Sequence, residues 1–163
     1  MINSCICQHI IVIELTCFIE MNALDVMSVD VVAAKENATV IEIATRLVLG
    51  AFNGVPIIND SGSVTGIITA IDILRAIRDG KSLESILVRD LMTPNPSVVK
   101  QDTAIEEVID VMDKKGIEMV PVVEDDGRLI GVISRSDILK EKINERFVTI
   151  GREKTVTTTL GEA

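Results

Sequence analysis

The sequence contains no tryptophan and no tyrosine, and only 3 of its 163 residues are phenylalanine. Proteins that bind single-stranded nucleic acid usually stack bases on aromatic side chains, and this chain offers little material for such a surface. A formal net charge of −9 also opposes phosphate backbones, which require a basic footprint. We therefore expect no nucleic-acid binding, and we interpret most acidic residues as solvated surface charge.

Cysteine and histidine are equally scarce, and all of these residues lie near the start of the chain: Cys5, Cys7, His9 and Cys17. Three cysteines with a C-x-C spacing do not make a disulfide framework. The four side chains could together bind a metal ion, but the residues between them are strand-like hydrophobics. We favour reduced, buried or incidental thiols in a cytoplasmic protein.

Long apolar runs and catalytic motifs are missing too. Residues 1–20 are interrupted by Gln8, His9 and Glu14, so they fall short of the ~18 apolar residues that a membrane span requires. They also lack a basic start and a cleavage site, so we expect no signal peptide. The segment is either an extra strand on a sheet edge or a poorly ordered extension. The sequence has no P-loop, GxSxG or HExxH motif, and we expect no enzymatic activity.

What the chain does contain is an internal repeat with a constant offset of 65 residues. The segment from Gly66 to Asp72, GIITAID, is matched by the segment from Gly131 to Asp137, GVISRSD. A register held without gaps over most of each copy indicates a tandem duplication of one supersecondary unit. A unit of about 55 residues is marginally stable alone, so the two copies should share one core.

Each copy follows the order β-α-β-β-α, which gives an α/β fold of the α+β type. In the first copy we predict a strand within residues 24–34 and a helix opened by Thr39, with Glu42 as its capping-box partner. A hairpin within residues 55–69 and a helix from Asp72 to Gly80 follow. Helical spacing predicts these inward residues: Val40, Ile43, Ala44, Leu47 and Val48 in the first helix, and Ile73, Leu74 and Ile77 in the second.

The second copy repeats this order after a linker at residues 81–89. We predict a strand at residues 97–99, a helix with a Thr103–Glu106 capping box, a hairpin within residues 120–134, and a final helix from Asp137 to about Ile143. The inward residues of the first of these helices are predicted to be Ile105, Val108, Ile109 and Met112.

Three features, repeated in order, resemble a pair of CBS domains, the motif named after cystathionine β-synthase. They are a hydrophobic-Pro strand, an acidic-Gly turn and a Gly-x-x-Ser/Thr-x-x-Asp segment. The resemblance divides the chain into an extension (1–23), a first motif (24–80), the linker (81–89), a second motif (90–147) and a tail (148–163). It implies two motifs packed about a pseudo-twofold axis with two clefts between them, and a homodimer.

The Gly-x-x-Ser/Thr-x-x-Asp segment carries the predicted binding chemistry. Gly66 and Gly131 allow close approach to a strand. Each segment ends at the start of a helix, where unpaired backbone N–H groups favour an anion. A carboxylate can accept both hydrogens of a ribose diol. We therefore predict that Asp72 and Asp137 bind ribose and that the hydroxyls of Thr69 and Ser134 contact phosphate, as the family resemblance also implies for adenosine ligands. The competing interpretation is that these residues only cap helices.

Residues around the two strand prolines are predicted to contact the base through backbone groups and an apolar wall: Gly54, Val55 and Pro56 in the first copy, and Met119, Val120 and Pro121 in the second. Gly54 is smaller than the residue usual in the family. For Val55 and Val120, plain core packing is the alternative that we favour.

The copies differ beside the hydroxyl, where Ala70 in the first is replaced by Arg135 in the second. A guanidinium can bind phosphate in a bidentate manner. We therefore predict that the Asp137 cleft prefers a phosphorylated adenosine ligand, unless Arg135 is an ordinary surface arginine. Lys35 and Lys100, at matching positions, are further candidates for a phosphate contact.

Together these features predict a regulatory module that binds AMP, ADP, ATP or S-adenosylmethionine, needs no cofactor, and signals to an unknown partner protein as a homodimer. The alternatives are a structural dimerisation module with empty clefts, a regulatory piece of an enzyme whose catalytic domain is fused or missing, and DNA binding through the extension.

Overall fold

The computed structural model describes residues 21–50 and 52–143. The expectations for residues 1–20, including the possible metal site at Cys5, Cys7, His9 and Cys17, lie outside the described residues. The same holds for the tail.

The helices and strands of the two copies have matching bounds, each 65 residues apart. The first copy contains β1 (Ala34–Lys35), α2 (Val40–Gly50), β2 (Gly54–Ile58), β3 (Val64–Thr69) and α3 (Ala70–Arg78), preceded by a short helix α1 (Ala23–Val26). The second contains β5 (Val99–Lys100), α4 (Ile105–Lys115), β6 (Met119–Val123), β7 (Leu129–Ser134) and α5 (Arg135–Ile143), preceded by a 3₁₀ helix (Val88–Asp90) and β4 (Thr93–Pro94). The duplicated β-α-β-β-α order is thereby confirmed.

The predicted first strand is wrong over most of its length. Asn22 and Asp25 form a capping box, with Asn22 N donating to Asp25 Oδ2 at 2.9 Å and Asp25 N to Asn22 Oδ1 at 3.3 Å, so residues 23–26 are helical. Only Ala34 and Lys35 form strand, and the matching strand in the second copy begins at Val99 instead of residue 97.

One of the two predicted capping boxes at the first helix of each copy is present and the other is not. Thr39 N donates to Glu42 Oε2 at 2.8 Å, which confirms the reach-back contact of the first capping box. In the second copy, Ala104 precedes the helix, and the Thr103 hydroxyl instead accepts a bond of 3.0 Å from Lys100 N. The Thr103–Glu106 capping box is therefore wrong, because the Thr103 hydroxyl is used in the turn before the helix.

The predicted inward faces are correct at their centres and wrong at one flank. Ile43, Leu47, Ile73, Val108 and Met112 are buried. Four residues predicted to be inward are more exposed: Val48 (81%), Leu74 (58%), Ile77 (53%) and Ile109 (37%). Each directly follows a buried residue and so lies about 100° further around its helix, beyond the part that contacts the sheet.

Two small sheets bring the copies together, because the segment that precedes the first strand of each copy pairs with the other copy. These two segments, residues 21–33 and 86–98, are here called the lead segments. Strand β2 pairs with β1 in parallel and with β3 antiparallel, and β3 also pairs with β4, which belongs to the lead segment of the second copy. In the other sheet, β6 pairs with β5 in parallel and with β7 antiparallel, and Ser28 from the first lead segment bridges to Val132 on β7.

The lead segments also complete the hydrophobic cores. Ala23 and Val26 are buried in the core of the second copy, whereas Val88 is buried in the core of the first. Leu83 and Ile86, within the predicted linker, pack on that first core as well. Each half is therefore completed by residues that precede the other half in sequence.

A pseudo-twofold axis passes between the two hairpin turns. Val64 N donates to Gly127 O at 3.2 Å, and the repeat-related Leu129 N donates to Gly62 O at 3.1 Å. Gly62 and Gly127 have φ of 85° and 84°, a conformation that favours glycine in these tight turns. The predicted acidic-Gly turns are confirmed and lie where the two halves meet.

Candidate functional site

Two clefts lie between the halves, and each contains one of the predicted aspartates. The cleft that contains Thr69 and Asp72, here the Asp72 cleft, has a volume of about 660 Å³. The cleft that contains Ser134 and Asp137, here the Asp137 cleft, has a volume of about 530 Å³. Both values lie within the range of small-molecule binding sites, about 300–1,000 Å³.

The two aspartates have the same local geometry. Asp72 Oδ2 accepts bonds from Thr69 N at 2.9 Å and from the Thr69 hydroxyl at 2.5 Å, and Asp137 Oδ2 accepts the equivalent bonds from Ser134 at 2.9 and 2.5 Å. Each carboxylate therefore closes the first turn of a helix, and each still lines a cleft. One oxygen of each aspartate therefore makes the contacts at the helix start, while the residue also lines a cleft, and its role in binding ribose stays a prediction.

The structure corrects the helix start at this site. Thr69 is the residue before α3, and Asp72 is its third residue rather than its cap. The final helix likewise begins at Arg135, two residues before the predicted Asp137.

The other carboxylate oxygen of each aspartate faces a basic side chain. Arg75 Nη1 lies 3.4 Å from Asp72 Oδ1, and Lys140 Nζ lies 3.3 Å from Asp137 Oδ1. The aspartate side chains are only 14% and 15% exposed, whereas the basic side chains are 60% and 71% exposed. The basic groups can therefore move aside while the carboxylates stay in place.

Burial of Asp137 by itself would raise the pKa of its carboxyl. The bonds from the Ser134 hydroxyl and N–H, together with the Lys140 ammonium, outweigh this effect and lower the pKa below its ordinary 3.8. The carboxylate in the Asp137 cleft therefore remains ionised at neutral pH and is available as an acceptor.

This lowered pKa predicts a pH dependence of stability. Because the folded state favours ionised Asp137, the contribution is fully present above the ordinary value of 3.8 and is lost as the pH falls through the lower folded value. The difference in the free energy of unfolding between wild type and Asp137→Asn, measured with urea, should therefore shrink below about pH 4. Ser134→Ala, which removes a donor to the carboxylate, should show a weaker pH dependence than wild type. A difference that stays constant between pH 6 and pH 3 would contradict this account.

The wall between the clefts is asymmetric. Gly54 and Met119 are repeat-related, and both line both clefts. A Cβ atom on Gly54 would lie 3.3 Å from Met119 Cε and 3.2 Å from the Ile68 carbonyl oxygen. The absence of a side chain at Gly54 therefore leaves room for the Met119 side chain. A large residue at position 54 would crowd Met119.

Among the described residues, the predicted site residues fall into two groups. Five of them line a cleft together with the two aspartates: Gly54, Pro56, Thr69, Met119 and Ser134. Val55 and Val120 are fully buried in the two cores, as the core alternative predicted. Pro121 is also buried and is not among the residues that line either cleft.

Gly66 and Gly131 do allow a close approach, but by protein rather than by ligand. A Cβ atom on Gly131 would lie 2.5 Å from Met27 Sδ, and one on Gly66 would collide with Met92 Sδ. Met27 and Met92 belong to the two lead segments. The two glycines therefore leave room for the methionines of the lead segments to pack against β7 and β3.

Arg135 and the paired lysines do not lie where a phosphate contact was predicted. Arg135 is exposed, is not among the described residues that line the Asp137 cleft, and donates through Nε to the Ile117 carbonyl at 3.2 Å. Ile117 lines the Asp72 cleft. Lys35 and Lys100 instead bind Asp60 and Asp125 in the hairpin turns, at 3.2 and 2.5 Å. Strand pairing carries both lysines away from the aspartates.

Several cleft residues were missed by the sequence interpretation, because they come from the lead segments, from the ends of α2 and α4, and from the middle of α5. Those of the Asp72 cleft include Asn95, Ser97 and Lys115, and those of the Asp137 cleft include Asp30, Phe52 and Lys140. Once one of them is placed, the repeat offset locates its counterpart, but no local motif marks any of them.

Comparison with known proteins agrees with this architecture. The family model described as CBS domain matches residues 23–79 and again residues 88–144. The chain belongs to the CBS domain family. Its fold is that of a CBS pair. One similar structure is the CBS domain pair of protein MJ0100 in complex with 5′-methylthioadenosine and S-adenosyl-L-methionine. The two superimpose with a TM-score of 0.70 at 28% sequence identity, over 77% of this chain and 98% of that one. CBSX2 in complex with AMP gives 0.69 at 26% identity, over 77% and 98%.

Curated relatives place the CBS pair in larger proteins. An uncharacterized protein, MK0525 of Methanopyrus kandleri, is 32% identical over 112 residues, which are 68% of this chain and 57% of that protein. A homoserine O-acetyltransferase of Methanohalophilus mahii is 38% identical over 115 residues, which are 70% of this chain and 23% of the enzyme. The chain thus spans about half of the first relative and a quarter of the second.

None of the helices described in residues 21–50 and 52–143 is long and apolar enough to cross a membrane.

Proposed function

We propose that this CBS pair is a regulatory module that binds an adenosine nucleotide in its two clefts and transmits the bound state to a partner protein. The observation that carries the proposal is the duplicated arrangement at the clefts, where an ionisable carboxylate, a hydroxyl and a helix N-terminus are placed together twice. A carboxylate can accept both hydrogens of a ribose diol, and the backbone N–H groups at the helix N-terminus suit phosphate.

The neighbours support adenosine as the common part of the ligand. The two related pairs described above contain AMP in one case and 5′-methylthioadenosine with S-adenosyl-L-methionine in the other. The pair that contains S-adenosyl-L-methionine supports an S-adenosylmethionine sensor as an alternative within the same ligand class.

Signalling requires that the ligand bind two arrangements of the protein with different affinity. Both clefts are formed by both halves, so a ligand in either contacts groups whose relative position it can change. Apolar side chains exposed on the helices also offer a surface for a homodimer: Val48, Leu49, Leu74, Ile77 and Leu139 are each more than half exposed.

Ligand-dependent stabilisation tests the proposal. A ligand that binds only the folded state raises the free energy of unfolding by about 2.7 kcal/mol at a concentration of 100 times its Kd. We expect AMP, ADP, ATP or S-adenosylmethionine to raise the melting temperature by several degrees in a concentration-dependent manner, and guanosine 5′-monophosphate, as the matched control, to have a smaller effect. If none of the adenosine compounds shifts the melting temperature at millimolar concentration, a dimerisation module with empty clefts is the better description.

A further inference from the structure

The two clefts differ in one pair of side chains that suits a phosphate group. In the Asp72 cleft, Lys115 Nζ donates to Ser97 Oγ at 2.6 Å, and both residues line the cleft. Lys115 is exposed at the end of α4. None of the ion pairs among the described residues includes Lys115. An ammonium group held by a neutral hydroxyl keeps its charge available to a ligand.

The repeat-related positions of the Asp137 cleft cannot provide this pair. Gly50 stands where Lys115 would be, and Val32 where Ser97 would be, and both line the cleft. The Phe52 ring lies against Gly50 so closely that a Cβ atom there would collide with it. An aromatic wall therefore replaces the cation in this cleft.

The remaining charges of the two clefts differ as well. Asn95 in the Asp72 cleft corresponds to Asp30 in the Asp137 cleft, which adds an anion to the latter. The Arg135 guanidinium is bonded to the carbonyl of Ile117, a residue of the Asp72 cleft. Glu118 also lines the Asp72 cleft and corresponds to the neutral Asn53, so Lys115 is opposed by one carboxylate there. Lys140 lines the Asp137 cleft but pairs with Asp137 at 3.3 Å, as Arg75 pairs with Asp72, so the added carboxylate of Asp30 has no matching added cation in that cleft.

We propose that the Asp72 cleft binds the phosphorylated adenosine compound, with Lys115 and Ser97 contacting its phosphate, and that the Asp137 cleft binds a phosphate-free adenosine derivative, neutral or cationic. This assignment rests on the proposed function and reverses the sequence expectation, which placed the phosphate beside Arg135. A lysine ammonium binds phosphate as a point charge. The Phe52 ring and Asp30 carboxylate instead favour an uncharged or cationic substituent.

Equilibrium titration of the full chain with adenosine 5′-monophosphate and with adenosine tests the assignment, because the two ligands differ only in the phosphate. In Lys115→Met, the affinity for the monophosphate should fall by roughly tenfold or more, as expected when a charge-assisted contact is lost, while the affinity for adenosine changes less than about twofold. Lys114→Met is the matched control: it removes the same charge from the adjacent residue, whose ammonium pairs with Asp110 at 2.5 Å. This variant should bind both ligands like wild type.

Three results would overturn the assignment. Monophosphate affinity could be unchanged in Lys115→Met, or adenosine affinity could fall by the same factor, or Lys140→Met could weaken the monophosphate while Lys115→Met does not. In each case wild type still binds adenosine compounds, so the proposed function survives. If wild type binds neither ligand, the proposed function fails and the assignment fails with it. Thermal unfolding of each variant without ligand establishes that it is folded.

Discussion

Replacing Ala23 with aspartate should unfold the second half of the protein, although Ala23 lies before the first copy in sequence. Its side chain is 0% exposed in the core formed by α4, β6 and β7, and its backbone N donates to Thr103 O at 2.8 Å. An aspartate there would be a buried charge without a partner, which destabilises a protein by about 3–5 kcal/mol. We expect this loss in denaturant unfolding, and hydrogen exchange should show that the amides of β6 and β7 lose protection before those of β2 and β3.

The adjacent residue provides the control. Leu24 is 51% exposed on the same short helix, and its backbone N donates to Gln101 O at 2.9 Å. Leu24→Asp introduces the same charge one position away but leaves it in water, so the free energy of unfolding should change by no more than about 1 kcal/mol. Equal destabilisation by the two variants, or an Ala23→Asp variant that loses protection first in β2 and β3, would show that the first lead segment does not complete the second core.

Replacing either cleft aspartate with alanine should nearly abolish adenosine binding in that cleft. A ribose diol that donates two hydrogen bonds to a carboxylate gains about 1.5–3 kcal/mol from each, so losing both weakens binding by about 100-fold or more. The capping bonds to Thr69 or Ser134 are lost as well, which costs stability of about 1 kcal/mol. Titration with adenosine should therefore show one remaining site in Asp72→Ala or Asp137→Ala, and none in the double variant.

Two further variants separate binding from capping. Asp79→Ala removes a carboxylate from the other end of α3, where it pairs with Arg78 at 3.0 Å, and should leave both sites intact. Asp72→Asn keeps an oxygen that can accept the bond from Thr69 N and should be more stable than Asp72→Ala, yet its affinity for adenosine should remain low. Two full-strength sites in the double alanine variant would refute the ribose-binding role.

Local sequence signals predicted the helices, strands and turns well where the local structure depends on residues that are close in sequence. The hairpin turns follow from Gly62 and Gly127, which adopt positive φ, and the paired Ser/Thr-x-x-Asp segments follow from their capping chemistry. The same local signals were less informative at the edges of helices. Helical spacing marks an apolar stripe, but it does not show which flank meets the sheet, so Leu74 and Ile77 were wrongly placed inward.

The cleft composition could not be predicted in the same way. Lys115, Ser97, Phe52 and Asp30 come from parts of the chain that carry no binding motif. Ser97 and Asp30 reach the clefts because the lead segments cross to the opposite half, whereas Lys115 and Phe52 lie at the ends of α4 and α2. Arg135 shows the converse error. It lies beside Ser134 in sequence, but its side chain turns toward the carbonyl of Ile117, a residue that lines the Asp72 cleft.

The sequence by itself determined the duplication, the order of elements in each copy and the Ser/Thr-x-x-Asp pairs at the start of the two cleft helices, because these depend on periodicity and on contacts within a few residues. Only the tertiary structure decided which core each lead segment completes and which side chains share each cleft, because a constant repeat offset is equally compatible with packing within a copy and packing across copies. The burial of Ala23 in the second core and of Val88 in the first distinguishes these arrangements. Because each lead segment packs on the opposite half, both halves contribute residues to each cleft. The set of side chains in a cleft therefore depends on this crossed packing.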